Sequence, residues 1–339
     1  MVFVVSATAC AQAQPPPGGG SLPRPELRNA DGEIMLRIVA TTTQIADFAR
    51  NVGGDLAHVE SILSANVDPQ NFELGPGDSQ RIAWADVIVI NGIGLDDPWI
   101  GPLRRGNPHG IPVVVTVRTA FAPGGARYLP QIADSEGQKW NGLTVPVAVA
   151  SRGVQVLPTD TASQHDPHIW LAVPNAVQMV QNVRDALAAA APPYADHYAT
   201  NASRYIEQLR ALDASIARQM TALPRARRTF VTNSRAFRYY ASRYGLTLVT
   251  VDVPAASPDG QVSAQRLAAL ASQIRAQQAR SIFLTPSVNP ALAEEIGRRA
   301  QVQVVTGLYD QALGLPGSDG DTYIKMMRYD TTMIVSALR

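Results

Sequence analysis

Apolar residues in this chain recur with two periods, and the two periods alternate from Leu36 onward. Leu36-Arg37-Ile38-Val39-Ala40 is a short apolar run suited to a buried strand. Ile45, Phe48, Ala49 and Val52 then repeat at helical spacing until Gly53-Gly54 stops them. His58 to Leu63 reads as a strand and Asp78 as the N-cap of a short helix through Trp84. Val87 to Asn91 and Val113 to Val117 read as two more buried strands. Apolar strands separated by helices indicate a parallel sheet, covered on both faces. Between residues 123 and 165 the periodicity is lost and Gly, Pro, Ser and Thr become frequent. So long an irregular stretch reads as a functional loop or an embellished edge.

Helical spacing resumes at Pro174, with Val177, Val180, Val183 and Leu187 on one face, and Pro192-Pro193 interrupts it. Tyr194 to Leu223 then runs without Pro or Gly, and Ile206, Leu209, Leu212, Ile216 and Met220 form one stripe. A helix of roughly 30 residues spans about 45 Å, more than one small lobe needs. Alternation returns afterwards, with strands at Thr229–Thr232, Thr247–Val251, Ser281–Thr285 and Gln303–Thr306. The helices between and after them cover Arg235–Tyr244, Ser263–Gln278 and Pro290–Arg299, with a last one starting at Thr322. The expected fold is α/β: two lobes, each a parallel sheet flanked by helices, joined by one long helix. The boundaries are a leader and tether at 1–33, a first lobe at 34–192, the connecting helix at 193–224 and a second lobe at 225–339.

Composition narrows the function classes. With 339 residues and 46% apolar content, the chain can bury a core in each lobe. A net charge of +1 gives no electrostatic footprint for nucleic acid. No apolar run of about 18 residues is present, so no transmembrane helix is expected. The single cysteine, Cys10, excludes a disulfide within the chain. Small residues precede it and the tract Pro15 to Gly20 follows. That context reads as a bacterial lipoprotein signal, with Cys10 acylated and residues 11–33 a flexible tether.

Candidate chemistry lies in four segments: Asp68-Pro69-Gln70-Asn71-Phe72-Glu73, Asp166-Pro167-His168-Ile169-Trp170, Thr232-Asn233-Ser234-Arg235-Ala236-Phe237 and Leu308-Tyr309-Asp310-Gln311-Ala312-Leu313-Gly314. Ligands of open α/β sheets collect beyond the carboxyl ends of the strands, where such segments fall. Neutral imidazole is a common zinc and manganese ligand, and Pro167 limits the movement of His168. Asn91-Gly92-Ile93-Gly94-Leu95 lacks the third glycine of a dinucleotide-binding turn. The stretch from Leu313 to Tyr323, followed by Met326-Met327-Arg328-Tyr329, reads as a closing turn and C-terminal helix.

In order and spacing these segments resemble the zinc/manganese family of ABC-transporter substrate-binding proteins, over nearly the whole chain from about residue 36. The resemblance implies one metal ligand in each segment: Gln70 and His168 from the first lobe, Ser234 and Asp310 from the second. Gln70 stands where the family has histidine, and Ser234 where it has histidine or a carboxylate. An amide oxygen is a neutral, weaker donor than imidazole, and a neutral hydroxyl is weaker still. Arg235 next to Ser234 disfavours a cation if its side chain points inward. His165 is a nearby imidazole, but its place in the long loop points to exposure. The histidine-rich loop of zinc-specific relatives is absent here.

The function implied is that of an extracytoplasmic binding protein, lipid-anchored to the membrane and monomeric. It would bind zinc or manganese between its lobes and deliver it to an ABC permease and its ATPase. The altered ligands favour an alternative, a degenerate relative acting as adhesin or scaffold or binding another small solute. An enzyme is not expected: the chain has no Gly-x-Ser-x-Gly elbow, no His-Glu-x-x-His pair and no P-loop.

Overall fold

The computed structural model describes residues 26–69, 72–96, 117–120, 127–130, 147–158, 165–253, 262–286 and 288–339. Cys10, Gln70 and most of the strand expected at Val113–Val117 lie outside the described residues.

The first lobe is built on a parallel sheet of β1 (Leu36–Ala40), β2 (Ala57–Ser61), β3 (Val87–Ile90) and β6 (Val147–Val149), in the order β2-β1-β3-β6. β3 is buried along its whole length, as a strand covered on both faces must be. Helix α1 (Thr43–Gly53) follows β1 directly. The Thr42 hydroxyl caps it, accepting from the Ile45 amide at 3.3 Å. Helix α2 (Pro76–Ala83) starts three residues earlier than its sequence suggests, with Gly75 at the N-cap. Asp78 is not its N-cap: it sits inside the first turn, and its carboxylate accepts from the Gly75 amide at 2.7 Å. Pro76 at the first helical position, where no amide hydrogen is needed, sets that earlier start.

The stretch expected to be irregular contains strands. β4 (Val117–Ala120) and β5 (Arg127–Pro130) form an antiparallel ladder, and β6 joins the edge of the main sheet in register with β3. Val147 and Val149 are β-branched, and their run is only three residues long, too short to show a period.

Helix α3 (Val173–Ala190) packs along α4 (Ala195–Thr221), the long helix, which continues without a break for 27 residues. The stripe on α4 is buried as its spacing requires: Ile206, Leu209, Leu212, Ile216 and Met220 are all inside. The second lobe then repeats the parallel theme. Strands β7 (Thr229–Thr232), β8 (Thr247–Thr250), β9 (Ser281–Leu284) and β10 (Gln303–Thr306) lie in the order β10-β9-β7-β8. Helices α5 (Arg238–Tyr244), α6 (Ala264–Ala276) and α7 (Pro290–Ala300) connect them, and α8 (Tyr323–Leu338) closes the chain. α5 begins three residues later than expected. The Ser234 amide donates to the Thr232 hydroxyl at 3.0 Å, and the Ala236 amide to the Ser234 hydroxyl at 3.3 Å. These local bonds offer the backbone an alternative to the helix.

The main core runs through both lobes, from Ile38 to Leu338, because α8 returns to pack against α4 and α1. A polar junction lies in that contact. Asp47 of α1 accepts from the Tyr205 hydroxyl of α4 at 2.9 Å and from the Tyr323 amide at 3.2 Å. The Tyr323 hydroxyl in turn donates to the Trp170 carbonyl at 2.6 Å. Burial pushes the Asp47 carboxyl up, against the opposing pull of those two donors. A raised carboxyl contributes stability that is complete below its unfolded value and is lost as pH rises through the folded one. Asp47→Asn keeps an oxygen acceptor and removes that loss. Urea unfolding followed from pH 4 to pH 8 is therefore expected to show a smaller decline for Asp47→Asn than for the native protein. Equal declines would show that Asp47 ionises without cost.

Candidate metal site

In each sheet the strand order reverses beside the strand that enters first, between β1 and β3 and between β7 and β9. Loops leaving the carboxyl ends at such points diverge to opposite faces and leave a crevice. Here the two crevices meet in one cleft of about 730 Å³. The first lobe contributes Asn66, Asp68 and His168 to its wall. The second contributes Asn233 to Ala236 after β7, Thr285 and Pro286 after β9, and Gly307 to Ala312 after β10. The loop after β10 reaches across: Gln44 donates to the Gln311 carbonyl at 3.2 Å, and the Asn66 amide to the Leu313 carbonyl at 3.0 Å.

His168 is held from three sides. Asp166 Oδ1 lies 2.6 Å from its Nδ1 and accepts from its backbone amide at 3.0 Å. Asn91, at the end of β3, donates to the Pro167 carbonyl at 3.2 Å. The Asp166 carbonyl accepts from Tyr239 of α5 at 2.8 Å. A carboxylate on Nδ1 fixes the tautomer that leaves a lone pair on Nε2, the arrangement a metal-ligating histidine uses. Nε2 lies 3.2 Å from the Gln311 Oε1 position. The NH2 end of that amide, interchangeable with the oxygen by rotation, matches such a lone pair. The turn leading away from β3 is bent tightly: Gly92, Ile93 and Gly94 all have positive φ. Two of the three positions are glycine, which adopts that region freely, while buried Ile93 is strained there.

Asp310 is 7% exposed, and its Oδ2 accepts from the Ser234 hydroxyl at 2.6 Å. Burial pushes its carboxyl up, while Ser234 and the nearby His168 pull it down. A carboxylate short of water but open to a cleft is one that a cation stabilises.

The structure thus brings His168, Ser234 and Asp310 to one cleft. Ser234 faces Asp310 as a hydrogen-bond donor. His165 does not line the cleft among the described residues: it pairs across a bridge with Pro158, and its Nδ1 is buried without a partner. Arg235 does line it. Among the described residues, no three His, Cys, Asp or Glu side chains gather closely enough to hold a metal ion. Sequence reading passed over three residues here. Asp166 was legible from the Asp-x-His spacing, and Gln311 and Asp68 only from their positions beside Asp310 and Gln70.

The sequence model of the family described as "ZnuA: Zinc-uptake complex component A periplasmic" matches residues 38–337. The chain is 27% identical to the manganese-binding lipoprotein MntA of Halalkalibacterium halodurans, over 91% of its own length and 90% of that protein. It is 29% identical to the zinc-binding lipoprotein AdcA of Streptococcus pneumoniae, over 88% of its own length and 55% of that longer protein. In fold it is similar to the periplasmic zinc-binding protein TroA of Treponema pallidum, with a TM-score of 0.69, 24% identity, and coverage of 90% of this chain and 99% of that one. A manganese-bound periplasmic metal-binding protein of Candidatus Liberibacter asiaticus gives a TM-score of 0.68 at 20% identity, covering 89% and 99% of the two chains.

Proposed function

This chain belongs to the family of the periplasmic component A of the zinc-uptake complex, and from that premise we propose that it captures zinc or manganese in the cleft. It is the extracytoplasmic substrate-binding component of a metal ABC importer, the role printed in the names of several relatives, among them the manganese ABC transporter substrate-binding lipoprotein PsaA of Streptococcus pneumoniae. Delivery to a permease and its ATPase follows from that role, and no chemistry on the cargo is required. One observation carries the reading to the site: an imidazole and a buried carboxylate, His168 and Asp310, open from different lobes into one cleft. His168 offers Nε2 and Asp310 an oxygen. By the family resemblance Ser234 and Gln70 would hold the remaining two positions with neutral oxygens, and an amide oxygen such as that of Gln70 suits manganese better than zinc. Helix α4 spans the join between the lobes, so closure around the ion is small.

Calorimetric titration of zinc and manganese into metal-free protein tests this. One ion per chain is expected, with zinc held more weakly than a site of three histidines and one aspartate would hold it. No saturable heat with either ion would favour the scaffold or other-solute reading.

No helix among the described residues is long and apolar enough to cross a membrane. Attachment through acylated Cys10 is the arrangement the lipoprotein relatives' names support. In a bacterial host the protein is expected to partition into detergent, and Cys10→Ser to move it to the aqueous phase. Identical partitioning would refute acylation at Cys10.

A further inference from the structure

His168 Nε2, the atom a captured ion must meet, is already faced by the side-chain amide of Gln311. We propose that the Gln311 carboxamide is a further ligand of that ion, and the one that tilts the cleft toward manganese. This rests on the metal-binding reading above.

Three observations converge. The first is separation. Gln311 Oε1 lies 3.2 Å from His168 Nε2. Two ligand atoms each about 2.1 Å from one ion stand about 3.0 Å apart at an octahedral right angle and about 3.4 Å apart at the tetrahedral angle. An ion can therefore touch both atoms with little movement of either side chain. The second is polarity. Asp166 Oδ1, 2.6 Å from Nδ1, holds the proton there and leaves a lone pair on Nε2. A carbonyl oxygen facing that lone pair is favourable only with a positive charge between them. Without one the carboxamide turns its NH2 end to the nitrogen, and with a metal ion it presents the oxygen. The third is anchoring. Gln311 lines the cleft directly after Asp310. Its carbonyl accepts from Gln44 at 3.2 Å, and the Leu313 amide donates to the Thr43 hydroxyl at 2.8 Å. These bonds tie the loop to the first lobe and hold the carboxamide within reach of His168.

Coordination number gives the preference. Among the described residues no three His, Cys, Asp or Glu side chains could hold an ion, and Asp68, though in the same wall, completes no such group. An amide oxygen is a donor of another class, neutral and hard, and suits manganese better than zinc. Zinc closes its shell at four ligands, the number the family resemblance implies. Six-coordinate manganese has room for Gln311 as well.

Calorimetric titration of the whole protein with Mn2+ and with Zn2+, native and Gln311→Leu, tests the proposal. Leucine keeps much of the volume, removes the oxygen and leaves the backbone bond to Gln44 in place. Gln311→Leu is expected to weaken Mn2+ about tenfold or more and Zn2+ less than about threefold. Tighter binding of either ion by Gln311→Leu would show that the amide only caps His168, and would overturn the proposal. Unchanged Mn2+ affinity would overturn it too, while leaving the capture of a metal ion standing. Equal losses for the two ions would overturn the preference. If the native protein binds neither ion, the capture reading itself fails, whatever Gln311 does. A second measurement needs no variant at position 311. Protein grown with glutamine carrying 13C at Cδ is loaded with Mn2+ and read by pulsed electron–nuclear double resonance. A carboxamide carbon coupled to the ion, and still coupled in Gln70→Ala, is expected. No coupled carbon would overturn ligation by Gln311.

Discussion

Restoring histidine at both altered positions, Gln70→His with Ser234→His, is expected to tighten zinc binding by several kcal/mol. The scale is set by structural zinc sites, whose apparent binding free energies run to roughly 10–16 kcal/mol. Two neutral oxygens would become two imidazoles, and Asp310, freed from the Ser234 hydroxyl that now occupies its Oδ2, could turn both oxygens to the metal. In the same series His168→Ala is expected to abolish native binding, since it removes the imidazole whose orientation Asp166 fixes. Calorimetry on the native protein, the double variant and His168→Ala reads all three. Tight native binding indifferent to His168 would place the site elsewhere. No gain in the double variant would mean that the cleft's geometry has diverged along with its ligands.

A second large effect concerns the join between the lobes. Phe48 is fully buried on α1, and its ring meets Tyr323 edge-on at 5.0 Å and lies 6.3 Å from Tyr205. Phe48→Ala empties a space walled by three helices, none of which can move in without breaking the Asp47 bonds. Such truncations cost about 3–5 kcal/mol. For a chain of this size that corresponds to a fall in Tm of roughly 6–20 °C. Urea unfolding and thermal melting check it. A loss under about 1 kcal/mol would mean the junction repacks and is not a rigid bolt.

Much of this fold was legible in the sequence because its signals were local. The α4 stripe repeats over many turns, and the second lobe's strands are apolar runs set off by helices. What escaped was set by distant partners. β6 exists because Val147 to Val149 find β3, about 60 residues away in sequence, and a run of three residues announces nothing by itself. The late start of α5 depends on hydroxyls at Thr232 and Ser234 bonding the backbone, which propensity alone does not weigh against a helix. At the site, Asp-Pro-His gave His168, and the Asp166 clamp follows from the same three residues. The approach of Gln311 to His168 joins residues 143 positions apart, and no local pattern encodes that. Arg235 posed a question of orientation that only coordinates could answer, and it lines the cleft.

The return of α8 to α1 and α4 also governs how the molecule can be born. A chain emerging from an export channel amino end first presents α1 long before α8 exists. Until α8 arrives, Phe48 and Asp47 have Tyr205 of α4 but lack the ring and the amide of Tyr323, so the packing of the first lobe is incomplete. Nucleation can begin early on the local contacts between α3 and α4, but completion waits for the last helix. A nascent chain of this design therefore stays unfolded enough to be threaded until almost all of it has crossed, and snaps shut on the far side.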